Sequence, residues 1–482
     1  MTDVFAPDRM VSGSVPLRLA RSAADQGQVP LSEFQDWFAT MGKRSYTRIR
    51  QVDLTDLEGW HFDRDTGNLR HDSGRFFTVE GLRIRVPDGP VPEWGQPIIN
   101  QPEVGILGIL AREFHGVLHF LMQAKVEPGN CNGLQLSPTV QATRSNYTRV
   151  HRGRAVPYLD YFLDTARHRV LVDVRQSEQG SAFHQKRNRN IVVEVTEDVE
   201  VREGFRWLTL GQLHQLLALD NVVNMDARTV LSCLPISHPA LADAVPTADG
   251  SFRAALLRSC VAGGPARHPL GEILSWITDV RSRTEVVTDR VPLRALSHWR
   301  YVDGRISHET GRFFDVLGVD VDAGGREVGR WMQPMLEPHG NGIVAFVVTR
   351  FDSVLHLLAH ARIEAGYLDV VELAPTVQCA PENYEHLPSR ARPPFLDLVL
   401  TARPDQIRYD TVLSEEGGRF HHAQNRYLVL EVDRDEDLAH PDFRWLALHQ
   451  MVELLRHSHY VNVQARSLVA CLHSLSGVAS VD

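Results

Sequence analysis

Lys125 and Glu127 stand two residues apart in "VLHFLMQAKVE" (117–127). On a β-strand that spacing sets both side chains on one face, about 7 Å apart. The even positions Leu118, Phe120, Met122, Ala124 and Val126 are apolar, whereas His119, Gln123, Lys125 and Glu127 take odd positions. A second run, "LQLSPTVQAT" (134–143), sets Leu134, Leu136, Val140 and Ala142 against Gln135, Ser137, Thr139, Gln141 and Thr143. A solvated sheet face is the competing reading of such a row. Solvated faces are richer in charge, however, and Gln, Ser, Thr and Asn suit hydrogen bonding to a polar neutral ligand such as a sugar. The basic run "HQKRNR" (184–189) adds cations suited to a small anionic group.

Other chemistries lack a handle. His356 and His360 are four apart, about 13 Å along a strand and too far for one ion. His421 and His422 point to opposite faces if extended, so no metal site is expected. No GxGxxG follows a strand, and neither a GxxxxGK[ST] loop nor a GxSxG elbow occurs. Five cysteines without a CxxC pair suggest neither disulfides nor a zinc cluster, and fit a reducing cytosol. The formal net charge of -9 argues against a nucleic-acid surface. No apolar run approaches the length of a membrane span, and the N-terminus lacks a signal-like apolar stretch.

The elements that must position these residues occur twice. "GRFF" at 74–77 returns at 311–314, a shift of 311 − 74 = 237. The same shift carries "LSPTVQATRSNY" (136–147) onto "LAPTVQCAPENY" (373–384), and "SEQG" (177–180) onto "SEEG" (414–417). "FRWL" recurs at 443–446 after one inserted residue. A period this long means whole duplicated domains, expected over 31–238 and 269–482, with a Pro/Gly/Ala-containing linker at 239–268. Within a copy, 105–110 and 117–127 read as a hairpin, 134–143 as a strand broken or bulged at Pro138, and 169–175 with 190–195 as a further pair. Residues 205–219 and 226–234 carry the helical period, so each copy is expected to be α+β, a mixed or antiparallel sheet with helices.

The second copy keeps the apolar frame and loses much of the chemistry. Gln123 becomes His360, Lys125 becomes Arg362, and Asn130 becomes Tyr367. Ser137 and Thr143 become Ala374 and Ala380, Lys186 becomes Ala423, and Arg187 becomes Gln424; Glu127 persists as Glu364. The first copy is therefore expected to hold the working site, the second to be a structural or altered binding module.

"WGQPIINQPEVGILGIL", "LMQAKVEPGN", "LSPTVQATRSNY" and "FHQKRNRNIVVEV", taken with the duplication, resemble the NDP-hexose 2,3-dehydratases of deoxysugar biosynthesis. The resemblance covers nearly the whole chain. It implies a homodimer of subunits with two tandem Nudix-like modules, removing the C2 hydroxyl of a dTDP-4-keto-6-deoxyglucose on the way to antibiotic sugars. The Nudix box is absent from both copies, which sets aside a magnesium-dependent pyrophosphate hydrolysis. A C4 ketone acidifies the C3 hydrogen and serves as electron sink, so no organic cofactor is expected. Elimination then needs a base near C3, a donor at the carbonyl and an acid for the leaving hydroxyl. Lys125 suits the carbonyl, Glu127 or His184 the proton transfers, and Tyr147 is a further acid. Lys186 and Arg187 suit the diphosphate, and Gln123, Asn130, Gln135, Ser137, Thr139, Gln141, Thr143, Asn146 and Asn188 complete the expected binding set. A non-catalytic nucleotide-sugar-binding protein and a divergent Nudix-type hydrolase are the competing functions.

Overall fold

The computed structural model describes residues 14–25, 27, 30–147, 155–244, 249–323, 328–385, 387–434 and 437–477. It is α+β, as expected, and each copy contributes two sheets. The larger sheet of the first copy has seven strands. Its main path runs Arg169–Ser177, Arg187–Val195, Gly105–Phe114, Val117–Val126, Phe205–Thr209. Arg187–Val195 lies parallel to Gly105–Phe114 and the other pairs are antiparallel, so the sheet is mixed. The hairpin between Phe114 and Val117 closes through His115 and Gly116, both with positive φ, the turn that matches strand twist. The second copy repeats this order, with Gly342–Phe351 and Val354–Ile363 at the centre.

Pro138 does more than bulge a strand. Leu134–Ser137 pairs with Val117–Val126, whereas Val140–Ala142 pairs with Gly105–Phe114. Because Pro has no N–H to donate, the segment leaves one neighbour there and joins the other. Thr139 bridges the gap, its Oγ1 donating to the Leu121 carbonyl and accepting from the Leu110 N–H at 2.9 Å. The alternation is reset by this step: Leu136 enters one core, while Val140 and Ala142 enter the core on the other face.

The smaller sheets join the copies. Thr47–Val52, from the first copy, pairs with Phe314–Ala323 of the second, from Thr47↔Ala323 to Val52↔Gly318. Val287–Val291 pairs reciprocally with Thr78–Arg85, from Val287↔Arg85 to Val291↔Gly81. Between these sheets lies a shared core in which Trp60, Leu69 and Phe77 pack with Trp299, Ile306 and Leu336.

Two expectations change. Residues 205–209 form a strand, and the helix starts at Leu210, where Thr209 and Gln212 form a capping box. The segment read as a linker contains the helix Phe252–Ser259, whose Ala255 and Leu256 are buried in the second core. Its counterpart is Val15–Ala24, ahead of residue 31. Ser22 and Ser259 make the equivalence plain, each accepting the backbone N–H that opens a later helix, at Leu210 (2.9 Å) and Leu448 (2.7 Å). Both helices are short and flanked by Pro and Gly, which masks their period in the sequence.

Candidate active site

A cavity of about 590 Å³ opens against the first copy's large sheet, and both copies line it. Its floor carries Lys125 and Glu127, both buried, with Lys125 Nζ 3.4 Å from Glu127 Oε1. Gln141 Nε2 donates to that same oxygen at 2.8 Å, and Asn224 Nδ2 donates to Gln141 Oε1 at 3.2 Å. Asn224 also caps the helix Met225–Ser232, its side chain accepting from the Ala227 N–H at 2.8 Å. One asparagine thus fixes both the Glu127 chain and the helix turn bearing Asp226.

The second copy supplies Glu416, Gly418 and Arg419 to the same cavity. These sit on a loop that crosses over and is held backbone to backbone. Gly129 N–H donates to the Gly417 carbonyl at 2.7 Å, and His422 N–H to the Gly129 carbonyl at 2.8 Å. A Cβ at Gly129 would collide with the Phe420 carbonyl, so the approach requires glycine. Arg228, fully buried, ties the start of the loop by donating to the Ser414 carbonyl at 2.6 Å.

The enclosed charges perturb one another. Burial raises Glu178, and burial with the nearby Glu178, Glu416 and Glu127 holds Asp226 well above the usual carboxylate range, Lys125 pulling the other way. Burial and Glu127 push Glu416 up to about 7, against Arg419. Burial lowers Lys186 to about 8, opposed by Glu178 and Glu103. Lys186 Nζ donates to the Glu103 carbonyl, and Asn188 Nδ2 to Glu178 Oε1 at 2.7 Å. Three buried carboxylate oxygens of the cavity lining, Glu178 Oε2, Asp226 Oδ1 and Glu416 Oε2, have no hydrogen-bond partner among the described residues. Trp60, Phe76, Phe77, Phe183 and Trp331 form an aromatic wall, with the Arg419 guanidinium 4.2 Å from the Phe77 ring centre.

A family model described as NDP-hexose 2,3-dehydratase matches residues 31–234 and again 270–472. The chain is 53% identical over 455 residues to dTDP-4-dehydro-6-deoxy-alpha-D-glucopyranose 2,3-dehydratase of Saccharopolyspora spinosa, covering 94% of this chain and 93% of that protein. It is 48% identical over 464 residues to a protein of the same name from Amycolatopsis orientalis, covering 95% and 93%. A third, from Streptomyces violaceoruber, is 50% identical over 448 residues, covering 92% and 97%. The chain belongs to the NDP-hexose 2,3-dehydratase family.

Within this family member the expected site residues divide sharply. Lys125, Glu127, Gln141, Thr143, Lys186 and Asn188 line the cavity. Gln123, Asn130, Gln135, Ser137, Thr139, His184 and Arg187 do not. Ser137 and Thr139 are buried at the strand handover, Ser137 Oγ donating to the Pro138 carbonyl at 3.2 Å. Gln135 accepts from Ser414 Oγ at 2.8 Å and so holds the copies together, while Gln123 stays in the ladder opposite Ser137. Asn130 donates to the Gly133 carbonyl at 2.8 Å beside the crossing loop. Arg187 is half-buried in the ladder opposite Ser177. His184 is half-buried beside Arg290 and Glu80, and burial lowers its pKa. The side chains of Asn146 and Tyr147 lie outside the described residues.

The cavity is also lined by residues that the sequence reading passed over, Glu178, Asp226, Glu416 and Arg419, with Glu103 behind Lys186. The repeat comparison held a signal for three of these. Asp226 aligns with Gln464, Glu416 with Gln179, and Arg419 with Ala182. At the matching place on the second copy, Gln179 Nε2, reaching across from the first copy, and Gln464 Nε2 both donate to Glu415 Oε2, at 2.8 and 3.4 Å. Asn425 and Tyr427 donate to its other oxygen at 2.6 and 2.8 Å, so neutral donors satisfy that carboxylate. The floor is otherwise the same there, with Arg362 Nε 2.8 Å from Glu364, Gln378 Nε2 3.1 Å from it, and Asn462 Nδ2 2.8 Å from Gln378.

His421 and His422 depart from the sequence reading. His422 has φ +50°, so the pair is not extended, and the rings stack 4.0 Å apart. With Glu337 they bring three potential metal-ligating atoms within 4.8 Å. This group belongs to the second copy and lines no part of the cavity. Among the described residues no helix is long and apolar enough to cross a membrane.

Proposed function

We propose that this chain removes the C2 hydroxyl of dTDP-4-keto-6-deoxy-D-glucose as water, in the cavity of the first copy, as a carbon–oxygen lyase of deoxysugar biosynthesis. The observation that carries this reading is one cavity joining buried cations and carboxylates to an aromatic wall. Its volume of about 590 Å³ suits a nucleotide sugar. The nucleoside stacks at the aromatic mouth, Trp60, Phe76 and Trp331 offering ring faces. Arg419 and Lys186 take the diphosphate, and the sugar lies over Lys125, Glu127, Gln141 and Thr143. Lys125 donates to the C4 carbonyl oxygen and stabilises the enolate formed when C3 loses its proton.

Glu127 holds Lys125 in place. The support is its matching role in the second copy, where Glu364 holds Arg362 in the same way. We assign the first module, 31–238, as the one that works and the second, 269–482, as its partner in building the site; the family resemblance adds a homodimer. A purely nucleotide-sugar-binding protein needs no difference in charge between copies, and the exchange of Asp226, Glu416 and Arg419 for Gln, Gln and Ala weighs against it. The test is incubation with dTDP-4-keto-6-deoxy-D-glucose, following water loss by mass spectrometry and deoxygenation at C2 by NMR. Unchanged substrate over many enzyme equivalents would refute the reading.

A further inference from the structure

The frame of Lys125, Glu127, Gln141 and Asn224 recurs in the second copy almost unchanged, as Arg362, Glu364, Gln378 and Asn462. Glu178 also persists, as Glu415. Besides Lys186 and Arg419, whose matching places hold alanine, the first cavity is set apart by a pair of acids, Asp226 and Glu416, whose matching places hold glutamine. Both line the cavity, and each keeps a buried oxygen without a partner among the described residues. Glutamine matches glutamate in shape and is one methylene longer than aspartate, and it carries no transferable proton, so both exchanges remove acid–base chemistry.

We propose that Glu416, carried by the second copy, takes the C3 proton, and that Asp226 hands its proton to the departing C2 hydroxyl. This assignment rests on the dehydratase reading above. Glu416 accepts the proton, and the C3–H electrons pass into a C3–C4 enolate whose oxygen Lys125 stabilises. The enolate electrons then form the C2–C3 double bond as the C2–O bond breaks, and Asp226 supplies the proton that makes the leaving group water. In the gluco chair the C3 hydrogen and the C2 oxygen are gauche, so neighbouring groups on one side of the ring reach both. The enol left behind carries a hydroxyl at C3. Asp226 recovers its proton from that hydroxyl as Glu416 gives its own to C2, yielding the 3,4-diketone and restoring both groups. Their environments agree with these roles: Asp226, held well above the usual carboxylate range, is the group that enters protonated, and Glu416, near 7, is the one available as base.

The test follows deuterium incorporation at C3 in heavy water alongside water loss, in the full chain, with dTDP binding measured by calorimetry. Glu416→Gln should lose both C3 exchange and elimination by about 10²–10⁴-fold. Asp226→Asn should keep C3 exchange within a few-fold while elimination falls by about 10² or more. Both should bind dTDP within a few-fold of the parent. A variant-free check uses the parent chain, whose C3 exchange should fall as pH drops through about 7, against a background of Glu127, Glu178 and Arg419 around Glu416, and Glu127, Glu178 and Lys125 around Asp226. Exchange at the parental rate in Glu416→Gln, loss of exchange together with elimination in Asp226→Asn, or a flat acid limb would each overturn the assignment. A parent chain that neither exchanges nor eliminates would instead strike at the dehydratase reading, so the two failures are distinguishable.

Discussion

Lys125 and Arg362 occupy matching positions beside matching carboxylates, yet their removal has different expected results. Lys125→Ala takes the donor from the carbonyl and should lower turnover by about 10²–10³. Arg362→Ala leaves Glu364 buried without its cation, so it should cost stability, about 3–5 kcal/mol for a broken buried pair, while turnover per folded molecule stays near parental. Comparing kcat at matched folded fraction separates the two. Asp226 gives a second test. Burial and the neighbouring carboxylates hold its carboxyl well above the usual carboxylate range in the fold, whereas the unfolded chain ionises it above about pH 4. The unfolded state therefore binds fewer protons, and stability falls as pH rises above that value. Asp226→Asn should raise the melting temperature at pH 7, with the gain shrinking towards pH 4, while activity is lost. Scanning calorimetry across that range checks it. Lys125 and Glu127 were legible because strand spacing alone puts them together. Asp226 was not, since an acid in a helix's first turn is ordinarily a dipole partner.

The crossing loop decides the site at the scale of elements. Its position depends on Gly129, whose N–H meets the Gly417 carbonyl at 2.7 Å and whose carbonyl accepts the His422 N–H. Gly129→Ala should push the loop away, carrying Glu416 and Arg419 from the cavity. A loss of turnover of about 10², with weakened dTDP binding, is expected, and a variant with parental kinetics would show that the loop need not approach so closely. Strands were largely legible in the sequence, as was the helix after Asn224. The row of hydroxyls was misjudged because alternation assumes one neighbour throughout, and Pro138 changes the neighbour midway. The loop's destination was beyond reach, because no local pattern records which backbone a glycine will meet 288 residues away, 417 − 129 = 288.

At the scale of the whole molecule, the copies are interlocked. Thr47–Val52 and Val287–Val291 each complete the other copy's sheet, and Arg228 and Arg466 reach across to Ser414 and Ser177. Residues 1–244 expressed alone would leave Thr78–Arg85 an open edge and expose half of the shared core, so they should aggregate and show no turnover. Co-expression with 245–482 should restore soluble, active protein, checked by size-exclusion chromatography and the water-loss assay.

The exchanged strands carry a consequence for how such a molecule can specialise. Two identical subunits that traded these strands would display the same interlock, with two equal cavities. Any mutation would then strike both at once. A glutamate placed at one crossing loop would appear at the other, and a glutamine that silenced one would silence its twin. Joining the halves into a single polypeptide releases that constraint. Position 416 can hold glutamate while position 179 holds glutamine, and 226 aspartate while 464 holds glutamine. Broken symmetry of this kind is open to a fused gene and closed to a homodimer, and it lets one half keep the scaffold sound while the other gathers the unstable charges that chemistry demands.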